Sequence, residues 1–458
     1  MKYEIVILEI HIKLNSKTKL FCSCKNDQEF NDLKSNTNIC SVCTQPSLPV
    51  LQKESLEKAI ILGLALNCKI NEFSNFDRKS YFYPDLPMGY QITQFFHPTN
   101  TDYVNFFIND YEEEKKVSIK QAHMEADAKT IHEKAYLDFN RAATPLVEIV
   151  TPDFRLTEEV IEFLKELQRI VRYNDVSYAD MEKQLRCDVN ISLREKATKL
   201  TRVELKNMNS FSAIKRAIEH EYKRQEKILK DKSIEQETRG WNDTKGSSYV
   251  MRSKENALDY RYFPEPDLPI LKLDKNFIEE QKKHVVESPF SRAKRYKKEY
   301  NFNKEFITTL ISSKTMSDYF ENLIKDGIKP KLAKYMANIL SRYLNDQQIN
   351  LEDVKFSYDD FKTIIEKEQN GELLENQAKD VFNYMVKTKK PLDIIEEKYK
   401  SQDDNELEAI VKEVLQENQK VVEDIKNQLK AIFLVQVVKK SQKANPVKAK
   451  DMLLKIVQ

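Results

Sequence analysis

Glycine is nearly absent from this chain, with six residues in 458, where average usage of about 7% would supply about 32. Glycine takes positive φ without steric cost and lets backbones approach closely, so its scarcity limits the turns and bulges available to the fold. The shortage has a local counterpart in the first strand. As written, Tyr3, Ile5 and Ile7 share a face with Glu9, His11 and Lys13, while Glu4 and Val6 share the other with Leu8, Ile10, Ile12 and Leu14. One residue inserted between Ile7 and Leu8 would gather Tyr3, Ile5, Ile7, Leu8, Ile10, Ile12 and Leu14 on one side, opposite Glu4, Glu9, His11 and Lys13, because strand side chains alternate with period two. The alternation therefore points to a strand that has lost one residue.

The length of 458 residues exceeds what one core usually fills and predicts two or three domains. Up to about residue 285, short alternating runs, Pro-containing turns and aromatic residues read as mixed α+β with a large sheet. From Ser291 onward, apolar residues recur at helical spacing, as in Lys331 to Leu344, Asp360 to Lys367 and Glu406 to Val421. The main boundary is expected near Ser288 to Pro289. The 75 basic and 73 acidic residues leave a net charge of +2, so any nucleic-acid contact must be local. Lys430, Lys439, Lys440, Lys443, Lys448, Lys450 and Lys455 make the last stretch basic, fit either for RNA phosphates or for a solvated helix face. No apolar run approaches the roughly 20 residues that span a bilayer, and the N-terminus does not read as a secretory signal. A soluble cytoplasmic protein is expected, with no membrane contact.

Three constellations carry chemistry. Cys22, Cys24, Cys40 and Cys43 form two close pairs separated by a short loop, a pattern able to place four thiolates around a structural Zn²⁺ with no open position. Cys-x-Cys is tighter than the usual Cys-x-x-Cys, so free thiols stay an alternative; Cys68 and Cys187 read as core residues. Glu9 and His11 lie two apart on a strand and face one side, roughly 6 to 7 Å from each other at Cα. His123, Glu125 and Asp127 repeat that pattern, as do Asp188, Asn190 and Ser192. Singly, each is more often a solvated strand face; together, they suggest a Mg²⁺ site, since Mg²⁺ selects oxygen ligands and retains waters and phosphates. Arg202, Glu204 and Lys206 also share a face, and basic groups there suit phosphates or surface ion pairs. No P-loop or dinucleotide fingerprint occurs, so a nucleotide site would be of another kind.

The runs LEIHIKL (8 to 14), KLFCSC (19 to 24), FDRKSYFYPDLPMGYQI (76 to 92), RAATPLVEIVTPD (141 to 153), LRCDVNISL (185 to 193), RVELKNMNS (202 to 210), QETRGW (236 to 241) and MRSKENALDYRYFPEPDLP (251 to 269) resemble the B subunits of aspartyl/glutamyl-tRNA amidotransferases. KANPVKAKDMLL (443 to 454) is similar to that family's tail, itself similar to stand-alone YqeY proteins. The resemblance implies a cradle-like catalytic domain over 1–287, a helical domain over 288–395 and a YqeY-like helical tail over 396–458 that contacts tRNA. It implies a ligase that uses ATP to phosphorylate the side-chain carboxylate of Glu-tRNA(Gln) or Asp-tRNA(Asn), followed by amidation. Ammonia would come from glutamine in a separate glutaminase/amidase subunit, with a small third subunit bracing the pair. Glu9, His11, Glu125 and Asp188 are the implied catalytic and Mg²⁺ residues, with Arg186, Asn190, Arg202 and Lys206 toward ATP, and Cys22, Cys24, Cys40 and Cys43 match the zinc cysteines. A catalytically inactive tRNA-binding zinc protein of the same fold is the alternative, whose mark would be altered metal ligands.

The chain departs from the family pattern in two ways. Ala126 stands where a second Glu is more usual. Family glycines are missing as one-residue gaps between Ile7 and Leu8, Thr44 and Gln45, Pro46 and Ser47, Asp102 and Tyr103, Ala128 and Lys129, and Lys183 and Gln184, with further gaps near Leu200, Asn427, Ile432, Val435 and Gln442. Ala143 occupies one family glycine position by substitution. Because the strand alternation places the first gap independently, the expectation is a source genome that reads a stop codon, UGA, as glycine, with those residues dropped from the written chain.

Overall fold

The computed structural model describes residues 3–26, 39–44, 47–82, 86–96, 103–108, 113–127, 131–133, 136–181, 184–194, 201–230, 233–253, 260–388 and 404–417, with 437, 449, 451 and 452. The chain divides into two compact units, Met1–Tyr296 and Lys297–Gln458.

The first unit is built on a seven-stranded sheet. Its centre is β1 (Tyr3–Lys13), and the strands that flank it come from far along the chain. We number as β2 Asp77–Ser80, β3 Tyr90–Thr93, β4 Gln121–Ala126, β5 Pro145–Val150, β6 Leu185–Arg194, β7 Val203–Lys206, β8 Glu237–Asn242 and β9 Ser247–Ser253. The order across the sheet is β9-β8-β7-β6-β1-β5-β4. All neighbours are antiparallel except β7 and β8, and β8 carries a bulge between Thr238 and Arg239 against β9. β2 and β3 pair in a separate small sheet with Phe263–Pro264.

Alternation decides which side each residue takes. Val6, Leu8, Ile10 and Ile12 of β1 join Val147, Ile149, Cys187, Val189, Ile191, Val203 and Leu205 in one buried layer. Two amphipathic helices belong to that core: α1 (Thr157–Tyr173), with Val160, Phe163, Leu164 and Leu167, and α2 (Phe211–Ile228), with Ala213, Ile214, Ala217 and Ile218. Each buried Leu or Ile contributes roughly 1.5–3 kcal/mol by leaving water. The Ser210 side chain caps α2 by accepting from Ala213 N at 3.0 Å, satisfying a donor that the first helical turn cannot.

β1 does not show the break that its sequence suggests. Ten consecutive residue pairs from Tyr3↔Arg194 to Ile12↔Leu185 keep one register. Val6 therefore supplies the buried face, and Ile5 and Ile7 stand half-buried on the other side with Glu9 and His11. The unbroken ladder with β6 gives the central strand backbone partners along ten residues, which outweighs the partial exposure of two isoleucines. The residues at most of the other expected gaps (45, 46, 102, 128, 129, 183, 200, 427, 432, 435 and 442) lie outside the described residues.

The second unit is helical throughout its described residues, with Lys304–Leu310, Lys314–Lys325, Pro330–Gln347, Tyr358–Gln369, Glu375–Thr388 and Asp404–Glu417. Helices start where the sequence supplies caps: Ser357 and Asp360 form a reciprocal capping box and Pro330 opens its helix at the first turn. Phe356, Phe361 and Phe382 pack edge-on and stacked in its core. Most of the basic tail after Lys430 falls outside the described residues. No described helix is long and apolar enough to cross a membrane.

Candidate active site

The polar face of the central sheet concentrates ionisable groups in register. Glu9 stands opposite Asp188, and His11 stands opposite Arg186 on one side and Glu148 on the other. Glu148 in turn faces His123 of β4. Directly opposed residues in antiparallel strands point the same way, so four strands aim these side chains at one surface.

Two patches result. In the first, His11 Nε2 lies 3.3 Å from Glu125 Oε1 and 3.6 Å from Glu148 Oε2. His123 Nε2 approaches the same Glu148 oxygen at 3.3 Å, and Thr93 Oγ1 of β3 reaches Glu125 Oε2 at 3.5 Å. Among the described residues, His11, Glu125 and Glu148 offer three ligand atoms within 4.8 Å of one another, a spacing suited to a metal ion. Burial opposes charge on His11, but hydrogen bonds to Glu125 and Glu148 and their negative charge outweigh it, holding the imidazole well above its ordinary pKa. Burial likewise opposes ionisation of Glu148, and the two imidazoles override it, keeping the carboxyl well below its usual range. Lys79 of β2 adds a cation: burial works against its charge, while Glu125, Tyr262, Glu148 and Tyr260 raise its pKa, and its ammonium sits 4.9 Å from the Tyr260 ring.

In the second patch, Asn190 Nδ2 donates to Glu9 Oε1 at 3.0 Å. Lys206 Nζ bonds Asp188 Oδ2 and lies 2.8 Å from Glu204 Oε1, whose other oxygen accepts from Thr238 Oγ1 at 2.8 Å. Glu9 links the patches: burial, then the charges of Glu148 and Glu204, push its carboxyl pKa up, against the pull of Lys206. Burial opposes charge on Lys206 too, and Asp188 and Glu204 more than compensate.

The structure thus brings His11 and Glu125 into direct contact and adds Glu148, which spacing in the sequence does not single out, with Glu9 and Asp188 in the neighbouring patch that holds Lys206. Asn190 joins that second patch, Arg186 is half-buried opposite His11, and Arg202 is exposed just before β7. Asp127, just past β4, pairs with Arg141 at 3.3 Å. Glu148 has one local signal, a single carboxylate inside the apolar strand PLVEIV; only the pairing of β5 with β1 gives it meaning.

The cysteines form a separate element. Cys22 Sγ and Cys40 Sγ are 3.6 Å apart, and Cys43 N donates to Cys40 Sγ at 3.4 Å. The bond from Cys22 favours the Cys40 thiolate, but Cys43 and burial outweigh it and push that thiol up to about 12. Residues 27–38, between the pairs, lie outside the described residues. Lys19, fully buried, anchors this element by donating to Asn140 O and, at 3.3 Å, to Thr144 Oγ1. Cys68 and Cys187 are buried in the core, as expected.

Residues 4–279 match the GatB/GatE catalytic domain, and residues 318–457 match the GatB domain. The chain is 41% identical to the aspartyl/glutamyl-tRNA(Asn/Gln) amidotransferase B subunit of Thermotoga sp. strain RQ2, with all of both chains covered. That alignment runs over 484 positions, 26 more than the chain's 458 residues. Identity is 42% to the same protein of Elusimicrobium minutum and 42% to that of Persephonella marina, again with both chains covered in full. With both halves matched and these relatives covered end to end, the chain belongs to the family of aspartyl/glutamyl-tRNA(Asn/Gln) amidotransferase B subunits.

Proposed function

We propose that the polar face of the central sheet activates the side-chain carboxylate of Glu-tRNA(Gln), of Asp-tRNA(Asn), or of both, at the expense of ATP. The observation that carries this reading is the convergence of His11, Glu125 and Glu148 beside the Glu9, Asp188 and Lys206 patch. The substrate carboxylate oxygen forms a bond to the γ-phosphorus of ATP, the bond to the β,γ-bridging oxygen breaks, and ADP leaves. Ammonia then attacks the acyl carbon, the carbon–oxygen bond to phosphate breaks, and the amide nitrogen gives up its surplus proton. Such chemistry needs negative charge compensated more than it needs a nucleophile from the protein.

The chain's residues divide that work. His11, Glu125 and Glu148 supply one nitrogen and two carboxylate oxygens, a donor set that fits Mg²⁺ completed by water and phosphate. When bound, Mg²⁺ would neutralise developing phosphate charge. Lys206, steered by Asp188 and Glu204, offers a second cation on the same surface, and Asn190 orients Glu9. Lys79 balances the carboxylates from the small sheet. Arg186 and Arg202 would meet nucleotide phosphates near His11 and β7. Cys22, Cys24, Cys40 and Cys43 suit a structural Zn²⁺: the 3.6 Å between Cys22 and Cys40 sulfurs is close to the edge of about 3.8 Å that a tetrahedron of 2.3 Å Zn–S bonds requires. The ammonia would come from glutamine through a glutaminase/amidase subunit, with a small third subunit completing a cytoplasmic heterotrimer.

The test is conversion of Glu-tRNA(Gln) to Gln-tRNA(Gln) by the full chain co-expressed with the amidase and the small third subunit, given ATP, Mg²⁺ and glutamine. Conversion that disappears in Glu148→Gln while tRNA still binds supports the reading. An assembled, folded complex that converts neither Glu-tRNA(Gln) nor Asp-tRNA(Asn) refutes it and leaves a tRNA-binding protein.

A further inference from the structure

Glu148 is approached by two imidazoles, and they do not have the same job. We propose that His123 is a positioning residue of the divalent-cation centre, holding the Glu148 carboxylate in its ligating orientation through a proton on Nε2. The proposal rests on the reading of His11, Glu125 and Glu148 as cation ligands.

Three adjacent strands create the arrangement, with His11 of β1 opposite Glu148 of β5 and Glu148 opposite His123 of β4. Both imidazoles reach the same oxygen, Glu148 Oε2, His11 Nε2 from 3.6 Å and His123 Nε2 from 3.3 Å. His11 Nε2 is also the atom that faces Glu125 Oε1 at 3.3 Å, so it is the nitrogen of the three-ligand group. An imidazole coordinates a cation through a lone pair. His11 Nε2 therefore cannot hold a cation and donate a proton to Glu148 at the same time. Once it coordinates, His123 is the remaining donor to Glu148 Oε2 among the described residues, and it lies outside the three-ligand group.

The other face of the His123 ring fixes its tautomer. His123 is 5% exposed, and its Nδ1 is buried with no hydrogen-bond partner among the described residues. An unpartnered N–H there would strand a donor away from water; a lone pair at Nδ1 leaves the proton on Nε2, where Glu148 accepts it. Carboxylate ligands depend on such outer hydrogen bonds for orientation, and their loss typically weakens metal binding about 10–100-fold.

The experiment titrates the full chain with Mn²⁺ and follows the free ion by its electron-spin-resonance signal. Wild type, His123→Leu, His123→Gln and Glu148→Gln are compared, with unfolding midpoints recorded for each. His123→Leu is expected to bind Mn²⁺ about tenfold or more weakly without a lower unfolding midpoint, and His123→Gln, whose amide nitrogen replaces Nε2, to recover most of the affinity. Should His123→Leu not fold, His123→Asn, whose amide stops short of Glu148, takes its place. Equal affinity in wild type and His123→Leu overturns the proposal, and so does an equal loss in the Leu and Gln variants, which would mark a packing role. Wild type that binds no Mn²⁺, or binds it no better than Glu148→Gln, brings down the cation-site reading itself.

Discussion

On one face of the central sheet Leu8, Ile10 and Ile12 are fully buried against α1 and α2; on the other, one residue away along the same strand, Glu9 and His11 sit among Asp188, Glu125 and Glu148. The apolar face gains free energy from every methylene it removes from water. The polar face sets like charges opposite each other, Glu9 against Asp188, which costs stability. The same ladder of backbone hydrogen bonds carries both, so the rigidity supplied by the first face is what keeps the second from relaxing.

That contrast can be broken in four places. Glu148→Gln should lower amidation by the assembled enzyme about 100-fold or more, in line with loss of a charge-stabilising group, and should also lower the denaturant midpoint, because the two imidazoles hold the Glu148 carboxylate ionised in the folded chain; lost activity with an unchanged midpoint would separate the two faces completely. Ile10→Ala should lower the unfolding free energy by about 2–5 kcal/mol in a urea titration, with no loss of Mn²⁺ affinity at temperatures where the chain stays folded. Ala143→Gly probes the loop that returns from β4, where Ala143 holds φ of 56° and its N–H donates to Asp127 O at 2.6 Å. Removing the Cβ there should raise stability by about 1 kcal/mol, read as a higher melting temperature.

The smallest effect is Glu9→Gln, expected to stabilise the chain by about 0.2–1 kcal/mol at neutral pH, since it removes one of two opposed carboxylates. The sign of its pH dependence is specific. Burial and nearby carboxylates raise the Glu9 pKa in the folded chain, so between its unfolded and folded pKa the native state keeps a proton that the unfolded state releases. Stability then falls as pH rises through that window. Glu9→Gln should abolish that fall, and urea titrations across the carboxylate range measure it.

The α+β class and the helical second half are legible in the sequence because periodicity is local: Lys331 to Leu344 and Asp360 to Lys367 fall inside helices Pro330–Gln347 and Tyr358–Gln369. The same logic assigns Glu9, His11, Glu125 and Asp188 to shared strand faces. What it cannot supply is strand order. Glu148 matters because β5 lies beside β1, and Lys79 because β2 comes near that face from another sheet; neither adjacency leaves a trace in spacing. The phase of β1 departs from expectation for a related reason, since the written alternation is accommodated by turning Ile5 and Ile7 toward the polar side.

Glycine is a separate matter. The chain is about 26 glycines short of average usage, and its alignments with the three relatives run 18 to 26 positions beyond its 458 residues. Ala143 shows what such a position demands when it is filled by another residue. A native protein heavier than the written chain by whole glycine residues is therefore expected from intact-mass measurement; a mass equal to the written chain ends the idea.

The place of β1 also governs how the chain must be made. It is synthesised well before its partners, Pro145–Val150 and Leu185–Arg194, which come far later in the sequence. At translation speeds of about 5–20 residues per second, this strand, with its face of buried Val6, Leu8, Ile10 and Ile12, waits roughly 10 to 40 s for both neighbours. During that interval both its edges are open to any other nascent strand, so the segment at the heart of the finished enzyme is also the one most in need of a chaperone.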